Sequence, residues 1–154
     1  MGDTLTVINA AVLLACTSMY FGTGLSLVLF QFPGAGNLTP ANYYDQFVPQ
    51  VAAATRFFTW MTNLMLLTAG LMVWSEWGTA YLVVPIAEIV LVGLATGLTI
   101  IYIFKYNRRM EEGITDAGEL HVVLRKWMRL NIVRVSIWVV EWLVIAAWFA
   151  LKAR

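Results

Sequence analysis

The stretch Trp127–Trp148, WMRLNIVRVSIWVVEWLVIAAW, decides how this chain folds. Within it Trp127, Asn131, Arg134, Trp138, Glu141, Ile145 and Trp148 recur at alternating steps of four and three. Those steps stack side chains into one stripe along a helix. Around the stripe stand Ile132, Val133, Val135, Ile137, Val139, Val140, Leu143 and Val144, so the helix is apolar almost all round and belongs in lipid. An arginine and a carboxylate on one face of such a helix cannot be left against hydrocarbon. The other apolar segments are therefore expected to pack on that face.

The bulk composition agrees with this reading. Of 154 residues, 60% are hydrophobic and 12% charged, far from the roughly 25% charged residues of soluble domains. The length suits one domain, 1–154, and the class is integral membrane, with the bilayer as first partner. A net charge of +1 supplies no clustered excess of cations for tracking phosphates, which argues against nucleic-acid binding. Cys16 is alone and cannot form an internal disulfide. Leu13-Leu14-Ala15-Cys16 resembles a lipoprotein cleavage box, but no Lys or Arg precedes it and the apolar run continues past it, so the segment is expected to be retained as a helix.

Apolar runs predict four helices, at about 5–32, 55–74, 80–104 and 130–152. The fold class is all-α, an antiparallel transmembrane four-helix bundle. Pro33, Gly34, Gly36 and Pro40 are expected to end the first helix, with Phe32, Tyr43, Tyr44 and Phe47 at the membrane boundary. Thr17, Ser18, Gly22, Gly24 and Ser26 are small enough to admit a neighbouring helix closely. Pro85 predicts a kink within one turn of Glu88. Residues 105–129 form the one strongly charged run, broken at Gly113, and Asp116 with Glu119 can cap a new helix there. This run is expected to be a helical extension between helices three and four. It holds six of the ten Lys and Arg residues, so the positive-inside rule makes it cytoplasmic and places both chain ends outside, despite Lys152 and Arg154. The expected location is the inner, or plasma, membrane, crossed several times.

The candidate polar interior consists of Arg56, Asn63, Glu88, Trp127, Asn131, Arg134, Trp138 and Glu141. In helix two, Arg56, Trp60, Asn63, Leu67, Gly70 and Trp74 share a stripe like that of the last helix, and both are expected to face inward. Counted by rise per residue, Glu141 lies about 16 Å from the charged face and Asn63 about 12 Å, so the groups can meet. A carboxylate at that depth is either protonated or ionised beside an arginine. Such a set can fix helix register as a buried polar cluster, or it can work: the arginine holds an anion or enolate, the carboxylate moves a proton, and the tryptophans wall an aromatic guest. From spacing alone the register role is preferred, because intramembrane polar residues commonly serve helix association. Glu88 and Glu141 could also pass a proton between them, about 8 Å apart along the membrane normal, through a water or a hydroxyl such as that of Tyr20.

No metal or cofactor is expected. The single histidine, His121, sits in the charged run, so paired histidines cannot hold a haem in the bundle. Met61, Met65 and Met72 share a helix and read as packing rather than copper ligands. There is neither a phosphate-binding glycine loop nor a nucleophile elbow.

Asn107 after helix three, the charged linker, then Trp127-x-x-x-Asn131-x-x-Arg134 opening the last helix, with Phe32-Pro33 ending the first, resemble the anthrone-oxygenase-like family. These are small four-helix bacterial membrane proteins, mostly without assigned function. For its fungal members the resemblance implies a cofactor-free oxidation of an anthrone to an anthraquinone, a substrate carbanion reacting directly with dioxygen. Only Asn107, Trp127, Asn131 and Arg134 carry over, as family positions. This tryptophan-rich chain has no membrane-embedded histidine to serve as base. The leading expectation is thus a non-catalytic structural or accessory subunit of a membrane complex, with other subunits or copies of itself as partners. The alternative is a cofactor-independent oxygenase, or a binder of a lipophilic aromatic molecule in the bundle interior.

Overall fold

Two glycines set the sharpest turns. Gly78 and Gly113 have φ of +81° and +89°, a left-handed conformation that costs a side-chain-bearing residue energy and glycine almost none. They separate three of the four long helices of the computed structural model, which describes residues 3–152. These helices are α1 (Thr4–Asn37), α2 (Tyr43–Ser75), α3 (Ala80–Glu111) and α4 (Ala117–Lys152). No strand occurs among the described residues. Each helix is long and apolar enough to cross a membrane. At 32 to 36 residues they measure about 50 Å, well beyond a hydrocarbon core of about 30 Å. Arg154 lies outside the described residues.

The helices start and stop where side chains satisfy backbone groups. Asp116 Oδ2 accepts the Glu119 amide at 2.6 Å, opening α4, and Thr79 Oγ1 accepts the Tyr81 amide at 3.2 Å, opening α3. The two arms of the charged segment are tied at their tips. Arg109 Nε and Nη2 donate to the two Glu119 oxygens at 2.7 and 2.9 Å, and Arg109 Nη1 donates to the Gly113 carbonyl at 3.0 Å.

Three expectations about helix ends and prolines change. Pro33 does not end α1: the chain widens into a π turn at Leu27–Gln31, where the Phe32 amide reaches the Leu27 carbonyl, and helical backbone continues to Asn37. The extra residue in that turn makes room for a ring that would otherwise strike the preceding turn. α2 begins at Tyr43, well before the expected start near Thr55, and runs through Pro49. Pro85 falls in the first turn of the regular helix, which begins at Val83 after a 3-10 turn and needs no proline amide there, rather than inside a continuous helix. The irregularity in α3 is instead a second π turn, Thr99–Ile103.

Packing pairs α1 with α2, where Asn9 Nδ2 donates to the Thr68 carbonyl at 2.8 Å and the Tyr20 hydroxyl to the Phe58 carbonyl at 2.7 Å. α4 meets α1 through Trp142 Nε1 to Ser18 Oγ at 3.1 Å, and α3 through Trp127 Nε1 to Asn107 Oδ1 at 2.7 Å. Gly24 lies so close to α4 that a Cβ there would come within 2.8 Å of Trp138 and 2.9 Å of Val135. Two core clusters result. One holds Leu13, Met65, Met72, Val92, Trp138 and Ile145; the other, toward the charged end, holds Tyr43, Ile103, Met110, Leu120 and Trp127.

The buried face of α2 differs from the expected one. Met61, Met65, Thr68, Ala69 and Met72 point inward, whereas Arg56, Trp60, Leu67, Gly70 and Trp74 are exposed, Trp60 by 79%. The narrow methionine, threonine and alanine stripe lets α1 approach, as the Asn9–Thr68 bond requires, and the bulky indoles are left outside. Large exposed apolar residues, among them Leu5, Phe30, Leu94, Ile101 and Leu143, cover the outside of the bundle, which suits lipid and not water.

Candidate functional site

Between the two core clusters all four helices leave a cavity of about 610 Å³. α1 contributes Tyr20 and Thr23, α2 Phe58 and Thr62, α3 Ala95 and Thr99, and α4 Trp127, Arg134, Trp138 and Glu141. Both π turns border it, through Leu27 and Gln31 on one side and Thr99, Ile100 and Ile103 on the other. A widened turn displaces side chains from regular packing, and such turns recur at functional sites. Exposed residues on α1 (Thr23, Gln31), α2 (Gln50, Ala54, Thr59, Asn63, Leu66) and α3 (Ile100) also line the cavity, so it is open to the outside, mainly along α2.

Its polar wall is one connected chain. Trp127 donates its indole N–H to Asn107, Asn131 Nδ2 donates to the Trp127 carbonyl at 2.8 Å, and Arg134 Nη2 donates to Asn131 Oδ1. Arg134 Nη1 lies 3.4 Å from Thr99 Oγ1, and its guanidinium carbon is 4.6 Å from the Trp138 ring centroid. Trp138 in turn meets Tyr20 edge-on at 4.7 Å. The Tyr20 hydroxyl lies 2.6 Å from Thr62 Oγ1. Asn131 is fully buried, and its amide is held by a partner on each side.

Beyond that chain, hydrogen bonding is incomplete. Glu141 is 1% exposed and its Oε1 has no partner; Glu88 is fully buried and neither of its oxygens has one; Arg134 Nε is likewise unpaired. Native interiors contain few such groups, because each ordinarily costs about 1–3 kcal/mol. Here a cation and two acids share one region, and no ion pair joins Arg134 to Glu141 or to Glu88. An arginine whose only polar partners are neutral side chains is available to an anionic or carbonyl oxygen from outside the chain.

The eight residues singled out from sequence are thus distributed unequally. Trp127, Arg134, Trp138 and Glu141 line the cavity, with Asn131 directly behind Arg134. Asn63 sits at its rim and donates to the Thr59 carbonyl at 3.0 Å. Glu88 is buried outside the lining, and Arg56 is exposed and takes no part.

Sequence reasoning passed over Glu76. It is 1% exposed at the end of α2, where it accepts from Trp148 Nε1 at 3.2 Å and Thr79 Oγ1 at 2.9 Å and pairs with Lys152 at 2.9 Å. The Lys152 ammonium also lies 4.9 Å from the Tyr81 ring and 5.3 Å from that of Trp148. An isolated acid in one apolar turn and an isolated cation at the same depth on another helix was the available signal. The cluster fastens α4 to the α2–α3 turn, away from the cavity.

The chain matches no known family model, no curated protein and no solved structure.

Proposed function

We propose that this chain is a multi-pass integral membrane protein, an antiparallel four-helix bundle, that binds a lipophilic small molecule with an acidic or carbonyl head in its interior cavity. The observation that carries the reading is the cavity itself. At about 610 Å³ it falls in the range of small-molecule sites, and its apolar walls converge on one guanidinium and one carboxyl group. A cluster serving register alone would have its polar atoms satisfied, and among the cavity-lining groups Arg134 Nε and Glu141 Oε1 are not. For this reason binding is preferred here over a purely structural role.

Membership of the anthrone-oxygenase-like family would add chemistry. Asn107, Trp127, Asn131 and Arg134, the positions carrying the resemblance, are joined by consecutive hydrogen bonds along the cavity wall. In an oxidation of that kind Glu141 takes a proton from the methylene that lies across the central ring from the guest carbonyl and is conjugated with it, and Arg134 holds the resulting enolate oxygen. Dioxygen is the oxidant: one molecule is consumed, a carbonyl forms at the former methylene and water leaves. Oxygen uptake by metal-stripped protein with anthrone-like substrates tests this. Turnover lost in Arg134→Gln and Glu141→Gln supports it, and no uptake across a broad panel counts against it.

Packing order supports the antiparallel arrangement: Asn9 meets Thr68 while Tyr20 meets Phe58, and Arg134 meets Thr99 while Trp127 meets Asn107. The charged segment is read as a cytoplasmic extension and the chain ends as lying on the other side of the bacterial inner membrane. Lys152, the cation opposing that orientation, is paired with Glu76. The accessory-subunit reading draws its support from the outward Arg56, Trp60 and Trp74 face of α2. Crosslinking in native membranes from positions beside Trp60 tests it: a discrete heteromeric or homodimeric product favours it, and lipid-only surroundings remove it.

A further inference from the structure

A second concavity, of about 660 Å³, opens between α3 and α4 on the far side of Ile100 and Phe104, which wall it off from the interior cavity. Lys105, Arg108 and Lys126 line it. All three are exposed, and none forms an ion pair among the described residues. Arg109 borders it too, but that guanidinium is occupied by Glu119 and lies 3.7 Å from Glu112. Four cations against two carboxylates, Glu112 in the lining and Glu119 beside it, leave the site a local net charge of about +2, with Lys105, Arg108 and Lys126 outside any ion pair.

Depth distinguishes this from a solvated basic patch. Ile100, Ile101, Lys105 and Arg108 all line the groove, so across the π turn at Thr99–Ile103 they remain on one side of α3. The lower end of that side is apolar and outward-facing, with Ile100 59% and Ile101 66% exposed. Lys105 stands about 6 Å above Ile101 along the helix, and Lys126 approaches from α4. Apolar surface directly beneath a cluster of cations, where a helix leaves hydrocarbon, is the pattern that holds a charged head with its acyl chains below it.

We infer that this groove is a binding site for an anionic phospholipid, its phosphate held by Lys105, Arg108 and Lys126 and an acyl chain laid along Ile100 and Ile101. A free phosphate would use the cations and leave the isoleucines without purpose. The inference rests on the charged end alone and stands whether or not the interior cavity takes a guest.

The test uses the full-length protein in nanodiscs of zwitterionic phosphatidylcholine, titrated with fluorescent phosphatidylglycerol and compared with equally labelled phosphatidylcholine. Tight, salt-sensitive binding of phosphatidylglycerol is expected, with phosphatidylcholine at least tenfold weaker. The double variant K105Q/R108Q should bind about 25-fold more weakly, at about fivefold per charge removed. R125Q/R129Q removes the same charge from exposed positions outside the groove and should change affinity less than twofold. Equal losses in both double variants would mean diffuse surface charge, and equal binding of the two lipids would mean no headgroup recognition. Displacement of the labelled lipid by inorganic phosphate at millimolar concentration would make the groove a phosphate site. Any of these three overturns the assignment.

Discussion

Asn131 holds Arg134 in place: its amide donates to the Trp127 carbonyl one turn back and accepts from the Arg134 guanidinium, so the cation is held by a residue whose own amide is anchored to the helix backbone. Both lie on α4, one turn apart, and Asn131 has no exposed surface. The first expectation follows from this arrangement. Asn131→Leu removes the acceptor of a charged donor and should lower stability by about 1–3 kcal/mol, read as a lower midpoint of thermal unfolding in detergent. It should also weaken binding of any carbonyl-bearing guest, whereas unchanged stability and binding would show that Arg134 is positioned by something else.

Gly24 supplies a contrast within one helix. A Cβ at this position would come within 2.8 Å of Trp138 and 2.9 Å of Val135, while one at Gly22 would meet nothing within 4 Å. Gly24→Ala should therefore cost about 1–3 kcal/mol by overpacking and displace Trp138 from the cavity wall. Gly22→Ala, at an open helical position, should be neutral or raise stability by up to about 1 kcal/mol. Parallel unfolding midpoints and Trp emission spectra check both, and equal effects would remove the argument for close α1–α4 approach.

The Glu76–Lys152 pair should respond asymmetrically. Its acid side chain is 1% exposed and its basic one 37%. Lys152→Met leaves a buried carboxylate without its cation and should cost about 3 kcal/mol, near the lower end for breaking a buried pair. Glu76→Gln keeps an acceptor for Trp148 and leaves an ammonium that reaches solvent, so a loss of only about 1 kcal/mol is expected. A larger loss in Glu76→Gln than in Lys152→Met contradicts this account.

Glu88 and Glu141 separate stability from function. Glu88 has no hydrogen-bond partner and no contact with the cavity, so Glu88→Met should leave stability unchanged or raise it by about 1–3 kcal/mol. Glu141→Gln should fold normally and lose proton transfer to or from a guest. If Glu88→Met destabilises the bundle strongly, Glu88 has a partner that the packing does not reveal.

Helix number and the buried stripe of α4 are legible in the sequence because length, hydropathy and steps of three and four are local properties. On α4 the apolar surroundings leave one face for Trp127, Asn131, Trp138 and Glu141, and these are buried. On α2 the same logic turned Arg56 and Trp60 inward and reached only Asn63 at the cavity rim, whereas the fit of Met65, Thr68 and Met72 against α1 decided the rotation. A polar stripe shows inwardness only when nothing else on the helix packs better. The π turns at Leu27–Gln31 and Thr99–Ile103 leave no periodic signature, and they border the cavity. Glu76 escaped because its partners Trp148 and Lys152 are more than 70 residues away in the chain.

The most direct test of the central claim is equilibrium binding of a hydroxylated tricyclic aromatic, followed by quenching of tryptophan fluorescence, to the parent protein and to Ala54→Trp. Ala54 is exposed at the cavity rim, so an indole there plugs the opening without disturbing the core. One saturable site per chain is predicted in the parent, with affinity at least tenfold weaker in the plugged variant and in Arg134→Gln. Equal quenching in all three proteins, or quenching that never saturates, would contradict an interior site built around Arg134.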